Sequence, residues 1–368
     1  MSKPVILFES YPDFSGSPLE IYNELVRRGY DKIYDLVWAV GGDFNRKTDY
    51  KIIKFHWCYN PQKKQILDRT KIIIDSNRYI QKPRKDVYRL CTRHGLSFKK
   101  TTAYCSKIGP VDAILTTSDE MMELDKKSWP SHLEDKYIVT GLPVTDRLFN
   151  KVDLYENGFI KYLTGTDNRY NKIIGWIPTY RQHRSGGTQA GKVFKYGVPI
   201  INSLDDYNKL NEKLKEQNSI LLIHRHHAQA KNYTDLPKVS NIYIVTESDK
   251  QKFNLTTHNL MNSFDAMITD YSSAYFEYII LDRPIGLTVD DMKKYHNDLG
   301  FYCNYFEWIK GFYILDIDFL INFVTEVSNN IDSAKTERDN SMNKIHKFVD
   351  NNATIRVVDY LEEKVLRK

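Results

Sequence analysis

The sequence predicts an α/β protein made of two successive doubly wound halves with a cleft between them, followed by a charged helical tail. Three observations predict it. Short apolar runs recur at spacings that leave room for an amphipathic helix between them, the mark of βαβ units and parallel sheets. The chain has 368 residues, which at roughly 100–200 residues per domain suggests two domains. A short polar stretch, Thr164–Asn171, separates two runs of the same strand-and-helix kind, as a linker would. The expected division is 1–160, 161–345 and a final helix over 346–368.

Val5–Phe8 reads as a buried strand, followed by a polar loop at Tyr11–Ser17. Pro18 opens an amphipathic helix over Leu19–Arg28, which Gly29 ends. Asp35–Val40, Lys51–His56 and Lys71–Asp75 are the next strands. Ala113–Thr117 and Tyr137–Thr140 continue the pattern, with a helix over Met121–Lys127 between them. The second half begins at Lys172–Ile177. It continues with a helix over Leu204–Gln217 and strands at Ser219–His224, Ile242–Val245 and Ala266–Thr269. A helix over Ser273–Leu281 and a strand at Pro284–Thr288 follow. The tail from Asp318 is helical, with a solvated break over Asn329–Asn340.

Composition narrows the function classes. Lys and Arg number 53 against 47 Asp and Glu, a net charge of +6. That mild, dispersed excess suits anionic substrates or anionic lipid and argues against duplex nucleic acid. The four cysteines are scattered and none falls at CxxC spacing, so no zinc site or disulfide framework is indicated. No run of 18 apolar residues exists, and the first residues lack a leader pattern, so a cytoplasmic location is expected.

Ligands of doubly wound sheets bind beyond the carboxyl ends of the strands, so the motifs are sought there. In Thr269-Asp270-Tyr271-Ser272-Ser273, an apolar strand runs into two serines and then a helix. Backbone N–H groups, two hydroxyls and the helix dipole make an anion site suited to a diphosphate. Glu277, one turn on, could accept bonds from ribose hydroxyls. The structural alternative is that Ser273 merely caps the helix. Arg93-His94-Gly95, followed by Lys99 and Lys100, offers a histidine suited to general-base work and lysines suited to phosphate; the alternative is a solvated basic loop. His224-Arg225-His226-His227 follows an apolar strand. On an extended chain His224 and His226 share a face and His227 does not, so phosphate contact is preferred to a metal. Pro178-Thr179-Tyr180-Arg181 ends a strand in an arginine expected to be exposed toward the cleft, where a bidentate phosphate contact is possible.

Two motifs are set aside. Gly186–Lys192 begins like a phosphate-binding P-loop but continues with Val193 and not Ser or Thr, and is expected to be a mobile loop. Asp316-Ile317-Asp318 resembles a metal-binding acidic pair and is expected to be a turn.

Taken in order, these motifs resemble those of the CDP-glycerol glycerophosphotransferase family, the teichoic-acid primases and polymerases and their capsule-forming relatives. The resemblance spans nearly the whole chain. It is carried by Phe8-Glu9-Ser10 with Ser17-Pro18, His94-Gly95 with Lys99, and Gly141-Leu142-Pro143 with Asp146. Pro178-Thr179-Tyr180-Arg181, Arg225-His226, Thr269–Ser273 with Phe276-Glu277, Arg283-Pro284, Leu299–Tyr302, and Asp350 with Arg356 complete it. Departures are Arg93 where the family has Trp, Ser97 for Pro, Val144 for Arg, and Asn351 for Gly. The length is nearer that of members adding a first or single unit.

The resemblance implies two Rossmann-like domains of glycosyltransferase-B-like architecture and a transferase that moves an alditol phosphate from CDP-glycerol, or a related CDP-alditol, to a hydroxyl of a lipid-linked glycan or polymer, releasing CMP. It implies His94 and His226 as catalytic residues. Gly95, Lys99, Arg181, Arg225, Asp270, Tyr271, Ser272, Ser273 and Glu277 would bind substrate, with no metal and no cofactor. Peripheral attachment to the inner face of the bacterial membrane is implied too. For that attachment the basic stretch Arg84, Lys85, Arg89, Arg93, Lys99, Lys100 and Lys107 would meet anionic lipid, or else substrate phosphate. The alternatives are a glycosyltransferase using a nucleotide sugar on the same fold, and a non-catalytic scaffold for polymer assembly.

Overall fold

In a computed structural model, the described residues are 2–41, 44, 47–54, 61–76, 82–100, 109–181, 189–225, 229, 231 and 233–367, the side chains of 61 and 62 apart. They form two compact units. Unit 1 comprises Met1–Leu96, Thr101–Asp146 and Ile345–Lys368; unit 2 comprises Ser97–Lys100 and Arg147–Lys344. The division therefore falls at Asp146/Arg147 and not near 160, and the final helices belong to unit 1 and are no separate appendage.

Unit 1 holds strands β1 (Val5–Phe8), β2 (Asp35–Val40), β3 (Lys51–Lys54), β4 (Thr70–Asp75), β5 (Tyr88–Cys91), β6 (Ala113–Thr116) and β7 (Tyr137–Val139). Among the described residues they pair in parallel in the order β3-β2-β1-β4-β5-β6-β7. The order reverses between β1 and β4, the switch point of a doubly wound sheet. Val5, Leu7, Val37, Ala39 and Ile73 pack one face of this core. Alternation is absent because helices cover both faces, as in parallel sheets generally.

β5 lies within the stretch expected to be a basic loop. Its Arg89 is fully buried and donates from Nε to Asp75 Oδ2 on β4 at 3.0 Å. Arg84 donates to the backbone carbonyls of Leu67, Asp68 and Thr70. Arg93 is buried as well. These arginines therefore neutralise or cap unit 1 internally, and the expected lipid-facing basic patch loses three of its members; Lys107 lies outside the described residues.

Unit 2 holds β8 (Lys172–Trp176), β9 (Ser219–His224), β10 (Ile242–Val245), β11 (Ala266–Thr269), β12 (Ile285–Thr288) and β13 (Phe312–Ile314), all parallel, in the order β10-β9-β8-β11-β12-β13. Its switch point lies between β8 and β11. Trp176, Leu221, Ile223 and Ile268 are buried in its core. Gly175 on β8 is required by packing, since a Cβ there would lie 2.0 Å from the Phe264 ring. Asp316 is not a simple turn. It caps the helix Ile317–Ser328, accepting from the N–H groups of Asp318 and Phe319. The expected solvated break holds the helix Lys335–Ile345, whose buried Arg338 pairs with Asp282 and Asp332.

The C-terminal helix Ala353–Leu361 is tied into unit 1 by motif residues. Asp146 carboxylate oxygens accept from Ala353 N at 3.1 Å and Thr354 N at 2.8 Å, satisfying first-turn donors that no side chain of the helix itself reaches. Arg356 donates to both Asp350 oxygens at 2.9 Å and to Thr140 O at 2.8 Å. Gly141, at φ +78, leaves only 3.2 Å between a built Cβ and Ala353 Cβ.

Candidate active site

In unit 1, β5 ends at Cys91 and the chain turns at once. Thr92 is fastened to β4 through its N–H and hydroxyl, both donating to Asp75 O at 2.7 and 3.0 Å. Arg93 then takes φ +63 and Gly95 takes φ +144. For a residue with a Cβ the left-handed region costs roughly 1–2 kcal/mol. The result is alternation in depth: Arg93 points into the unit, and His94 between the two unusual backbones is exposed. Arg93 Nη1 donates to Asp125 Oδ2, and its guanidinium lies 5.1 Å from the Trp129 ring centroid. Thr116 Oγ1 also donates to Asp125 Oδ2, at 3.0 Å. Burial pushes the Asp125 carboxyl up, and Arg93 and Thr116 pull it back.

In unit 2 the floor of the switch point is a buried charge network. Asp270, just past β11, accepts from Thr179 N at 2.9 Å and from Arg181 Nη1 at 2.8 Å. Arg181 also donates through Nε to Asp291 Oδ2 at 2.8 Å, and Tyr271 donates to Asp291 Oδ1 at 2.9 Å. Burial works against the Arg181 charge, and the two carboxylates more than offset it. Arg181 is 3% exposed, and Asp270 and Tyr271 are fully buried. The expectation of an exposed arginine is therefore corrected. Arg181, Asp270 and Tyr271 lie beneath the surface past the ends of β8 and β11, because two carboxylates distant in sequence draw the arginine inward.

Above this floor stand partly exposed groups. Ser272 Oγ accepts from Ala274 N at 3.3 Å, and Ser273 makes no side-chain cap bond, so the capping alternative falls to Ser272. The helix they open is short, Ala274–Tyr278. Glu277 Oε2 accepts from His258 Nε2 at 2.9 Å. Lys99 arrives on the segment Ser97–Lys100, which is held in unit 2 by the Lys99–Phe301 bridge and by Phe98, buried against Phe276, Phe301 and Tyr305. Burial pushes the Lys99 ammonium down to about 8, with Asp270 opposing and Arg181 adding to the push. Arg225 donates to Tyr196 O at 2.9 Å and lies 4.4 Å over the Tyr233 ring. His224 stands 3.6 Å from Glu247. His226 and His227 lie outside the described residues, as do residues 186–188 of the expected loop. Its last residues, Gly191 and Lys192, donate backbone N–H groups to Asp298 and Asp291.

A cavity of about 370 Å³ opens beside Asp291, lined also by Lys192, Asp290, Lys294 and Asp298. Among the described residues no group of three or more His, Cys, Asp or Glu is placed to hold a metal ion. Sequence reasoning missed Asp125, Asp291 and His258. Asp291 carried a usable signal, since it follows a strand by three residues at the ligand-binding end.

Each unit is thus a doubly wound parallel sheet, unit 2 with serines opening a helix at its switch point and unit 1 with a histidine following β5. The chain belongs to the CDP-Glycerol:Poly(glycerophosphate) glycerophosphotransferase family, whose profile matches residues 1–363. It is 23% identical over 377 residues to the teichoic acid poly(ribitol-phosphate) polymerase of Bacillus spizizenii W23, covering 98% of this chain and 56% of that protein. It is 28% identical over 252 residues to the teichoic acid glycerol-phosphate primase of Bacillus subtilis 168, covering 68% of this chain and 57% of that one. The chain thus spans a little over half the length of these curated relatives. The solved wall teichoic acid polymerase TagF shares its fold, with a TM-score of 0.72 at 21% identity over 98% of this chain and 89% of that one. A variant of that polymerase soaked with CDPG matches equally well, at 0.72.

Proposed function

We propose that the protein transfers glycerol phosphate, or a similar alditol phosphate, from a CDP-alditol to a hydroxyl of a lipid-linked glycan or polymer acceptor. The acceptor oxygen bonds to the β-phosphorus, the bond from that phosphorus to the bridging oxygen breaks, and CMP leaves. His94 takes the proton of the attacking hydroxyl. The Ser272/Ser273 turn and Lys99 face the diphosphate, and Glu277, steadied by His258, faces the ribose. Arg181, Asp270 and Tyr271 act beneath them by fixing the turn. Gly95 permits the backbone that presents His94, and Arg225 and His226 are assigned to charge stabilisation from their place after β9. The observation that carries this reading is a family match running through both units, from residue 1 to residue 363.

Among the described residues no helix is long and apolar enough to cross a membrane. A lipid-linked acceptor would bring the protein to the inner membrane face, and co-sedimentation with anionic vesicles at low and high salt tests that attachment. The decisive experiment offers the protein a panel of CDP-alditols and nucleotide sugars with lipid-linked acceptors. Consumption of a CDP-alditol with stoichiometric CMP release is expected. Consumption of a nucleotide sugar alone would replace the reading with sugar transfer, and consumption of none would leave a scaffold.

A further inference from the structure

Arg93 stands immediately before the proposed base, and its conformation and burial are both unusual. An arginine is rarely placed at φ +63 with its side chain almost wholly withdrawn from solvent. Two contacts hold it, and a further bond steadies its partner. The guanidinium donates to Asp125 on the helix Asp119–Ser128, it faces the Trp129 ring, and Asp125 is itself fixed by Thr116 of β6. Asp125 is fully buried, and the helix that carries it is capped by Ser118 accepting from Met121 N. The anchor therefore rests on a strand and a capped helix, which are rigid, and not on the loop it restrains.

The consequence falls on His94. In a chain turning this sharply, the inward course of one side chain sets the outward course of the next. Thr92 is tied to Asp75 O on one side and Gly95 takes φ +144 on the other, and the side chain of Arg93 anchors the turn between them. We propose that Arg93 and Asp125 are positioning residues for His94: their buried pair holds the left-handed turn that aims the imidazole. They touch neither substrate nor reacting atoms. This inference rests on the assignment of His94 as the base.

A double-mutant cycle on CMP release from CDP-glycerol tests it, using Asp125→Asn, His94→Ala and the double variant, with thermal unfolding and CDP affinity measured alongside. If the pair acts through His94, Asp125→Asn lowers kcat by about 10–100-fold with KM for the donor unchanged, and costs nothing further once His94 is Ala. An equal loss in both backgrounds would overturn the proposal. Near-normal turnover in His94→Ala alone would instead overturn the assignment of the base. Should Asp125→Asn fail to fold, Arg93→Lys and Thr116→Val run the same cycle. Arg93→Lys keeps the charge but loses the planar fork, and is expected to keep part of the activity. Full activity in both gentler variants would also overturn the proposal.

Discussion

Arg181 Nη1 lies 2.8 Å from Asp270 Oδ2, with neither side chain open to solvent. The contact joins the loop after β8 to the end of β11 across the switch point of unit 2, and Asp291 completes it from the end of β12. An arginine with two buried carboxylates is a structural clamp. Its place in the motif is that of a phosphate ligand, and its geometry is not.

This distinction is measurable. Breaking a buried pair by removing one partner costs roughly 3–5 kcal/mol, because the other charge is left without compensation. Arg181→Met is expected to lower the unfolding free energy of unit 2 by that order, read from urea unfolding monitored by fluorescence. A variant that loses CDP affinity at full stability would return Arg181 to the role of ligand.

His94→Ala should leave folding and CDP binding intact while CMP release falls by about 10²–10⁴-fold, the ordinary worth of a general base. Its exposed position means that little packing is lost. Isothermal titration with CDP and a CMP-release assay on one preparation separate binding from chemistry.

The Lys99 ammonium, held down to about 8 by burial, gives a pH signature. The cation is present below that value and is lost above it, so affinity for CDP should weaken as pH rises through about 8. In the fold the sign is opposite. The unfolded chain binds the Lys99 proton up to a higher pH than the folded one, so the burden of charged Lys99 is full below about 8 and eases above it. Lys99→Arg should remove the affinity limb, since arginine stays charged. Titrations of CDP at pH 7 and 9 with both proteins check this; an unchanged slope in Lys99→Arg would place the titration elsewhere.

Gly175→Ala tests the packing of β8 against Phe264, where an added Cβ would overlap the ring. Overpacking of this kind costs typically about 1–3 kcal/mol. Partial recovery in Gly175→Ala with Phe264→Leu, read from thermal unfolding, is the expected outcome.

Most of the strands and the two-half plan were legible because buried parallel strands leave apolar runs that need no partner to be seen. β5 was not, because its Tyr-Arg-Leu-Cys carries an arginine whose counter-charge, Asp75, sits on another strand. The three-residue β13 offered too short a pattern. The site shows the same limit. Motif spacing located Arg181, Asp270 and Tyr271 correctly at strand ends. Their direction, inward, depends on Asp291, which lies 110 residues beyond Arg181. The affiliation of the last helix was likewise hidden, since Asp146 and Ala353 are 207 residues apart.

That last attachment bears on how the polypeptide matures on the ribosome. Unit 1 is assembled from three separate pieces, and one of them is synthesised after all of unit 2. Asp146 has no helix end to meet until the stretch Arg147–Lys344 and the start of the last helix have been translated. A chain released before Ala353 would therefore contain every residue of unit 2 and leave unit 1 without the helix end that meets Asp146.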